Sequence, residues 1–240
     1  MRKKDIVELC LQAVYPRRCP VCHDIVRPKG ALVCRGCEGK VMPIREPRCR
    51  KCGKPVEKEE QEYCSDCLKH RHFFEEGAGI FPYNRLMRES LMKCKYGGRR
   101  EYLDYYGEMM IRYGGKYLAR WRPQAIVPIP LHKTQMRLRG FNQSLCLAQA
   151  LGGHFGIPVY PQMLEKVRKT RTQKSLDEKQ RRSNLRGAFS IGAQFQPLKK
   201  ILLVDDVYTT GGTVDEAARC LKKAKAGEVR VLVLCIGKGF

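Results

Sequence analysis

Residues 200–213 read Lys200-Ile201-Leu202-Leu203-Val204-Asp205-Asp206-Val207-Tyr208-Thr209-Thr210-Gly211-Gly212-Thr213, and this stretch decides the fold. Lys200 to Val204 is an aliphatic run without period-2 alternation, the pattern of a strand buried on both faces of a parallel sheet. It breaks into two adjacent carboxylates and then a Thr/Gly turn. From Val214 to Lys225 apolar residues recur near helical spacing. Lys222, Lys223 and Lys225 fall in the last turns, where cations suit the helix dipole. Strand, tight polar turn and helix together make an anion site. The amides of Thr210 to Thr213 point outward at a helix N-terminus, and the hydroxyls of Thr209, Thr210 and Thr213 add donors. Gly211 and Gly212 let the backbone approach a phosphate closely.

Two carboxylates directly before a phosphate cradle repel a phosphate, unless the ligand carries a diol beside it. Each carboxylate then accepts hydrogen bonds from hydroxyls. A ribose 5-phosphate meets both demands. The run from Ile201 to Thr213 resembles the PRPP-binding motif of type I phosphoribosyltransferases. That resemblance implies Asp205 and Asp206 for the ribose 2- and 3-hydroxyls, and Thr209, Thr210, Gly211, Gly212 and Thr213 for the 5-phosphate. The bland alternative is an ordinary strand-to-helix turn with Asp caps, and the unbroken fit of the whole run weighs against it. In purine-salvage relatives an acid placed to assist the base stands where this chain has Thr209, so purine salvage is disfavoured. Tyr208 also departs from the aliphatic residue of the general motif.

Upstream, Gly77 to Tyr83 is a candidate strand opening the main domain. Leu86, Leu91, Met92, Cys94 and Tyr96 fit a helix that stops at Gly97-Gly98, and a further helix covers Tyr102 to Ala119. Ala125 to Ile129 is a second buried strand. The loop that follows, Leu131-His132-Lys133 through Arg137, Arg139-Gly140-Phe141-Asn142-Gln143, is dense in donors and runs into a helix ending near Phe155. In the resembled enzymes the equivalent loop holds the pyrophosphate of PRPP, which implies Arg139 and Lys133 here. Val159 to Val167 reads as a strand. Residues 168–186 are polar with almost no apolar anchors, the composition of a mobile lid, and Arg171 is its candidate pyrophosphate ligand. Ala188 to Ile191 and Val229 to Ile236 are the remaining strands.

The front of the chain carries different chemistry. Eight of thirteen cysteines form four Cys-x-x-Cys pairs: Cys19/Cys22, Cys34/Cys37, Cys49/Cys52 and Cys64/Cys67. Their regular recurrence reads as metal rather than disulfide. Each pair forms a knuckle, and two knuckles supply four thiolates to a tetrahedral zinc ion. Two structural Zn2+ sites follow, paired either sequentially or in an interleaved way. Such metals stand in for a core that so short a segment cannot build. His70 and His72 read as a polar linker out of this region. This array, with Pro128-Ile129-Pro130-Leu131-His132 and Arg139 to Gln143, resembles the ComF family of competence-related proteins.

The formal net charge is +23, from 47 basic and 24 acidic residues. Such a field favours polyanionic partners, nucleic acid or a small, highly phosphorylated substrate. Met1 to Tyr15 is basic but carries Asp5 and Glu8, so it reads as an amphipathic helix rather than a secretion signal, and no run reaches membrane-spanning length. The expected architecture is α/β: a helix over residues 1–15, a double zinc ribbon over 16–72, and a parallel-sheet type I phosphoribosyltransferase-like domain over 73–240, in a soluble, cytoplasmic chain without membrane insertion. The ComF resemblance implies PRPP or another ribose 5-phosphate with Mg2+, single-stranded DNA and competence-machinery proteins as partners. Asp205, Asp206 and Arg139 are the candidate catalytic residues. Two other readings stay open: a phosphoribosyltransferase on an unidentified acceptor, amidophosphoribosyltransferase-like, and a PRPP or nucleotide sensor without turnover.

Overall fold

The computed structural model describes residues 15–169 and 185–237. The expected N-terminal helix, Arg171 and most of the expected lid lie outside them. In chain order the elements are α1 (Ser65–Lys69), β1 (Glu76–Pro82), α2 (Arg85–Tyr96), α3 (Tyr102–Trp121), β2 (Ala125–Pro128), α4 (Lys133–Arg139) and α5 (Gln143–Phe155). There follow β3 (Leu164–Lys166), β4 (Phe189–Ile191), β5 (Lys200–Tyr208), α6 (Gly212–Lys223) and β6 (Glu228–Ile236).

The main sheet is four parallel strands in the order β1-β6-β5-β2. β5 sits inside it, and its successive side chains serve two cores. Leu202 and Val204 join the cluster under α2, α3 and α5, while Ile201 and Leu203 join the one under α6. That two-sided burial explains the unalternating aliphatic run. The sequence reading stopped the strand at Val204. It continues to Tyr208 because β6 runs alongside, pairing Asp205 with Val233 and Tyr208 with Ile236, so the acid pair lies within a strand.

Two other expectations are corrected. The donor-rich loop after β2 contains a short helix, α4, capped by His132, whose side chain accepts from the Thr134 amide. The expected strand at 159–167 is split. Val159 bridges in parallel to Ile126, and only Leu164–Lys166 forms a strand, antiparallel to β4 in a separate two-stranded sheet.

Both edges of the main sheet are covered, which removes unpaired strand edges. On the β2 side, Ile126 N–H donates to Pro158 and Tyr160 N–H to Ile126, each at 2.9 Å. On the β1 side the cover is the cysteine region itself. Ile44 N–H donates to the Ile80 carbonyl at 2.8 Å, Gly77 N–H to Lys51 at 2.8 Å, and Arg48 reaches the Gly79 carbonyl at 2.8 Å.

The cysteines group sequentially: Cys19, Cys22, Cys34 and Cys37 in one cluster, Cys49, Cys52, Cys64 and Cys67 in the other, their sulfurs all within 4.8 Å of one another. Tetrahedral zinc with Zn–S bonds near 2.3 Å spaces sulfurs about 3.8 Å apart. The separations of 3.9 Å for Cys22–Cys34 and 3.6 Å for Cys52–Cys64 fit that ion. The second ribbon repeats the first knuckle bond for bond: Cys19 and Cys49 amides donate to Asp24 and Lys54, and His23 and Gly53 amides donate back to Cys19 and Cys49. Both turning residues have positive φ, 68° at His23 and 77° at Gly53. Only the second requires glycine, since a Cβ on Gly53 would lie 2.6 Å from the Gly77 carbonyl oxygen. The first ribbon rests instead on helices, with His23 Nδ1 3.0 Å from the Tyr102 hydroxyl and Arg17 2.7 Å from Asp104.

Cys49, Cys52 and Cys64 belong to the core cluster under α6, whereas the first ribbon's Cys19 and Cys37 form a small separate cluster with Val26. Each of Cys22→Ser and Cys49→Ser should lower bound zinc from two ions to one per chain, measured by metal analysis. Cys49→Ser should also lower the melting temperature further than Cys22→Ser. Equal melting shifts would contradict the shared core.

Candidate functional site

The C-terminal ends of β5 and β2, the end of α2, the start of α6 and Lys166 of β3 border a cavity of about 400 Å3. Such a place, outside the carboxyl ends of parallel strands, is where open α/β sheets bind ligands. Asp205 and Asp206 line it, together with Thr209, Gly211, Gly212 and Thr213.

The turn is an open donor array. Gly211, at φ +78°, is the N-cap of α6, and no side chain caps the helix. The first helical amides therefore have no protein acceptor of the usual capping kind and present to the cavity. Glycine is required twice over at 211, because a Cβ there would sit 2.2 Å from the Tyr208 hydroxyl. Thr210 differs from its neighbours: it lines a second cleft, on the far side of the turn, with His72, Arg186 and Arg219.

The two carboxylates are not equivalent. Asp205 turns toward α5, where its Oδ1 accepts from Ser144 Oγ at 2.8 Å and from the Asp206 amide at 2.9 Å. Burial, reinforced by the Asp206 charge, raises its pKa from the ordinary carboxylate value to about 7. Asp206 instead meets Lys95 Nζ, which projects from the last turn of α2. Lys95 is one of two lysines that sequence reasoning missed. It follows Leu91 by four residues and so shares the helix's buried face, but a lysine in a last turn is also what the helix dipole favours, and that reading hides it.

The second is Lys166, at the end of β3. It lines the cavity, and its ammonium lies 5.7 Å from the centre of the Phe189 ring on the partner strand β4. Burial pushes its pKa down, against the pull of Asp205. Arg139 lies at the rim, its guanidinium 4.8 Å from the centre of the Tyr96 ring and bonded to that residue's hydroxyl. Lys133 begins α4 and is exposed, outside the cavity lining. The structure thus brings together the acid pair, the Thr/Gly turn and Arg139, and it leaves Lys133 apart.

The second ribbon supports the turn from behind. Tyr208 packs edge-on to Phe74 with ring centres 6.4 Å apart, and Lys54 lies 5.7 Å from the centre of the Tyr208 ring. Lys54 is 2 % exposed and pairs with Asp66, between Cys64 and Cys67. On the exit from the ribbon, Phe73 N–H donates to Asp215 Oδ1 at 2.7 Å, in the first turn of α6. His72, read from sequence as linker, has a buried ring stacked on Phe74 at 4.8 Å.

A parallel sheet whose central strand ends in an acid pair and an uncapped Thr/Gly helix start, braced by two four-cysteine knuckles, defines a zinc-ribbon protein of the phosphoribosyltransferase class. Residues 10–68 match the family model of the double zinc ribbon domain, and residues 154–239 that of the phosphoribosyl transferase domain. The chain is 29% identical to competence protein F of Haemophilus influenzae, over 89% of its own length and 94% of the relative's. It is 30% identical to competence protein ComFC of Bacillus subtilis (84% and 83% covered) and 30% identical to DNA utilization protein YhgH of Salmonella typhimurium (92% and 97%). The chain belongs to this ComF family.

Two outcomes follow. Gly211→Ala should reduce binding of ribose 5-phosphate by tenfold or more in calorimetry, about 1.4 kcal/mol at least, while bound zinc stays at two ions. The raised pKa of Asp205 means the folded chain holds a proton that the unfolded chain has lost between about pH 4 and 7, so its contribution to stability falls as pH rises through that window. Asp205→Asn should therefore raise the melting temperature at pH 8 by roughly 3–6 °C, with the gain shrinking toward pH 4. A pH-independent difference would place the titrating group elsewhere.

Proposed function

We propose that this protein binds PRPP, or another ribose 5-phosphate, in the cavity at the end of β5, and that it does so while handling single-stranded DNA in DNA uptake. One observation carries the ligand reading: the uncapped amides of α6 and the carboxylate of Asp206 open into the same cavity. The amides and the hydroxyls of Thr209 and Thr213 take the 5-phosphate. Asp206, with Asp205 behind it, accepts from the ribose hydroxyls. Arg139 leaves Tyr96 for the pyrophosphate, and Arg171 is its proposed partner from the lid. Mg2+, when bound with PRPP, neutralises pyrophosphate charge through ligand oxygens and water.

The DNA role is supported by the names that the relatives carry, competence protein and DNA utilization protein, and by the net charge of +23. A cationic surface binds nucleic acid through phosphate contacts and counterion release. Competence-machinery proteins are the partners consistent with that role, and the cytoplasm is its setting.

A second reading, turnover of PRPP with an acceptor, is favoured by Lys166. It places a cation of β3 in the cavity lining, within electrostatic reach of Asp205, where developing charge on a departing or attacking group needs a partner.

Labelled PRPP incubated with the zinc-loaded protein and Mg2+ should be retained. Asp206→Asn should abolish retention with zinc unchanged at two ions. Release of pyrophosphate with any acceptor would establish the enzyme reading. Affinity for single-stranded DNA should fall linearly on a log–log plot against salt. Normal PRPP binding by Asp206→Asn would refute the assignment of the site, and salt-insensitive or absent DNA binding would remove the DNA role.

A further inference from the structure

We propose that Lys95 takes the place of a divalent cation at the sugar end of this cavity, so that ribose 5-phosphate binds without metal and a metal ion enters only with a pyrophosphate group. The inference rests on the ribose 5-phosphate reading of the same cavity and assigns the charge chemistry of its sugar end.

A carboxylate beside a sugar diol, with a phosphate one bond further along the ligand, is a cluster of anionic groups that needs a cation. Mg2+ in that position must first shed water, which it does reluctantly. Here the position is already filled by a protein group. Lys95 Nζ contacts Asp206 Oδ2, and the side chains are only 15% and 12% exposed. That ion pair is the sole polar contact of Asp206 Oδ2 among the described residues. Asp205 hydrogen-bonds elsewhere, its Oδ1 taken up by Ser144 and the Asp206 amide.

Lys95 is also rigidly placed. Its helix is anchored by Met87, Ser90, Leu91 and Cys94, all buried, so the stem starts from a fixed backbone. Of three ammonium donors one faces Asp206, which leaves two for a ribose oxygen or a ligand phosphate. Burial works against the charge, but Asp206 and then Asp205 outweigh it and lift the pKa above the ordinary lysine value, so the group is a cation at neutral pH. Arg139 also acts on Lys95 electrostatically, as a like charge. A divalent ion on Asp206 would have to settle against both.

The pairing also explains how two carboxylates coexist with a phosphate cradle. Asp206 is neutralised by Lys95, and Asp205 is protonated for part of the time at neutral pH. The acid pair therefore offers acceptors to the diol without its full repulsion toward the phosphate.

The test is titration calorimetry of ribose 5-phosphate into the full zinc-loaded chain, in buffer freed of divalent ions over chelating resin, with and without millimolar MgCl2. Wild-type affinity should agree within about twofold between the two buffers. Lys95→Met should lose about tenfold or more in metal-free buffer and regain most of it with MgCl2, a rescue that a merely structural lysine would not give. Lys95→Arg should keep part of the metal-free binding. Wild-type binding only in the presence of MgCl2 overturns the proposal. So does metal-free binding by a folded Lys95→Met that equals wild type. The wild-type comparison decides the matter even where the variant fails to fold. Absence of binding in both buffers refutes the ribose 5-phosphate reading, and this inference with it.

Discussion

Burying two adjacent carboxylates at the end of a central strand is the constraint on which this structure depends. A buried ionised carboxylate costs several kcal/mol unless it is paired or hydrogen-bonded. Each partner here comes from a different element: Ser144 from the first turn of α5, Lys95 from the last turn of α2. The acid pair therefore fixes where those two helices end relative to β5. The same burial splits the carboxylates into an inward one, whose pKa it raises, and an outward one paired with a lysine. A pattern that reads as a symmetrical pair in sequence becomes an asymmetric site.

The zinc ribbons are part of that construction rather than an appendage. The second ribbon closes the β1 edge by backbone hydrogen bonds, shares a core cluster with β5, β6 and α6, and reaches Tyr208 through Lys54 and Phe74. Tyr208 in turn occupies the space that only a glycine at 211 leaves open. Its departure from the aliphatic residue of the general motif thus has a physical reason. The ring spans the distance from the phosphate turn to a neighbouring metal-braced knuckle, and a smaller aliphatic side chain would leave a void there. The first ribbon packs on α2 and α3 instead, through Ser90 to the Pro20 carbonyl and through Tyr102 and Asp104. Its knuckle accordingly carries His23 where the second must have Gly53.

How much was legible in the sequence follows from the range of the interactions involved. The buried strands β1, β2 and β6 and the first half of β5, the Thr/Gly turn, helices α2, α3, α5 and α6 and the eight thiolates are local patterns, and each was readable from its own neighbours. The extent of β5 was not, because its last residues are held by β6 rather than by their own hydrophobicity. α4 was hidden because its donors read as loop, and His72 because its burial depends on Phe74 and α6. Lys95 and Lys166 were out of reach for the same reason. Each lies far along the chain from Asp205, and only the placement of α2 and β3 beside the strand ends brings them there. Arg171, readable as a lid cation, lies outside the described residues.

The charge of the site and the charge of the chain now make one argument. Around the acid pair stand Lys95, Arg139, Lys166 and Lys169, so the cavity is cationic despite its two carboxylates. Negative charge beyond one phosphate, in addition to a diol, matches that lining. A phosphorylated ribose with a pyrophosphate has that composition, and so does a nucleic acid strand, whose sugar–phosphate repeat offers phosphates at both ends of each sugar. The two differ in the hydroxyls. A deoxyribose within a strand has no free diol for Asp206, so DNA gains from the surrounding field without gaining from the acid pair. On the proposed function, the acid pair filters for the small ligand while the long-range field draws a strand to the same protein. In that reading, one chain holds a phosphosugar in its cavity while polyanions stay on its surface.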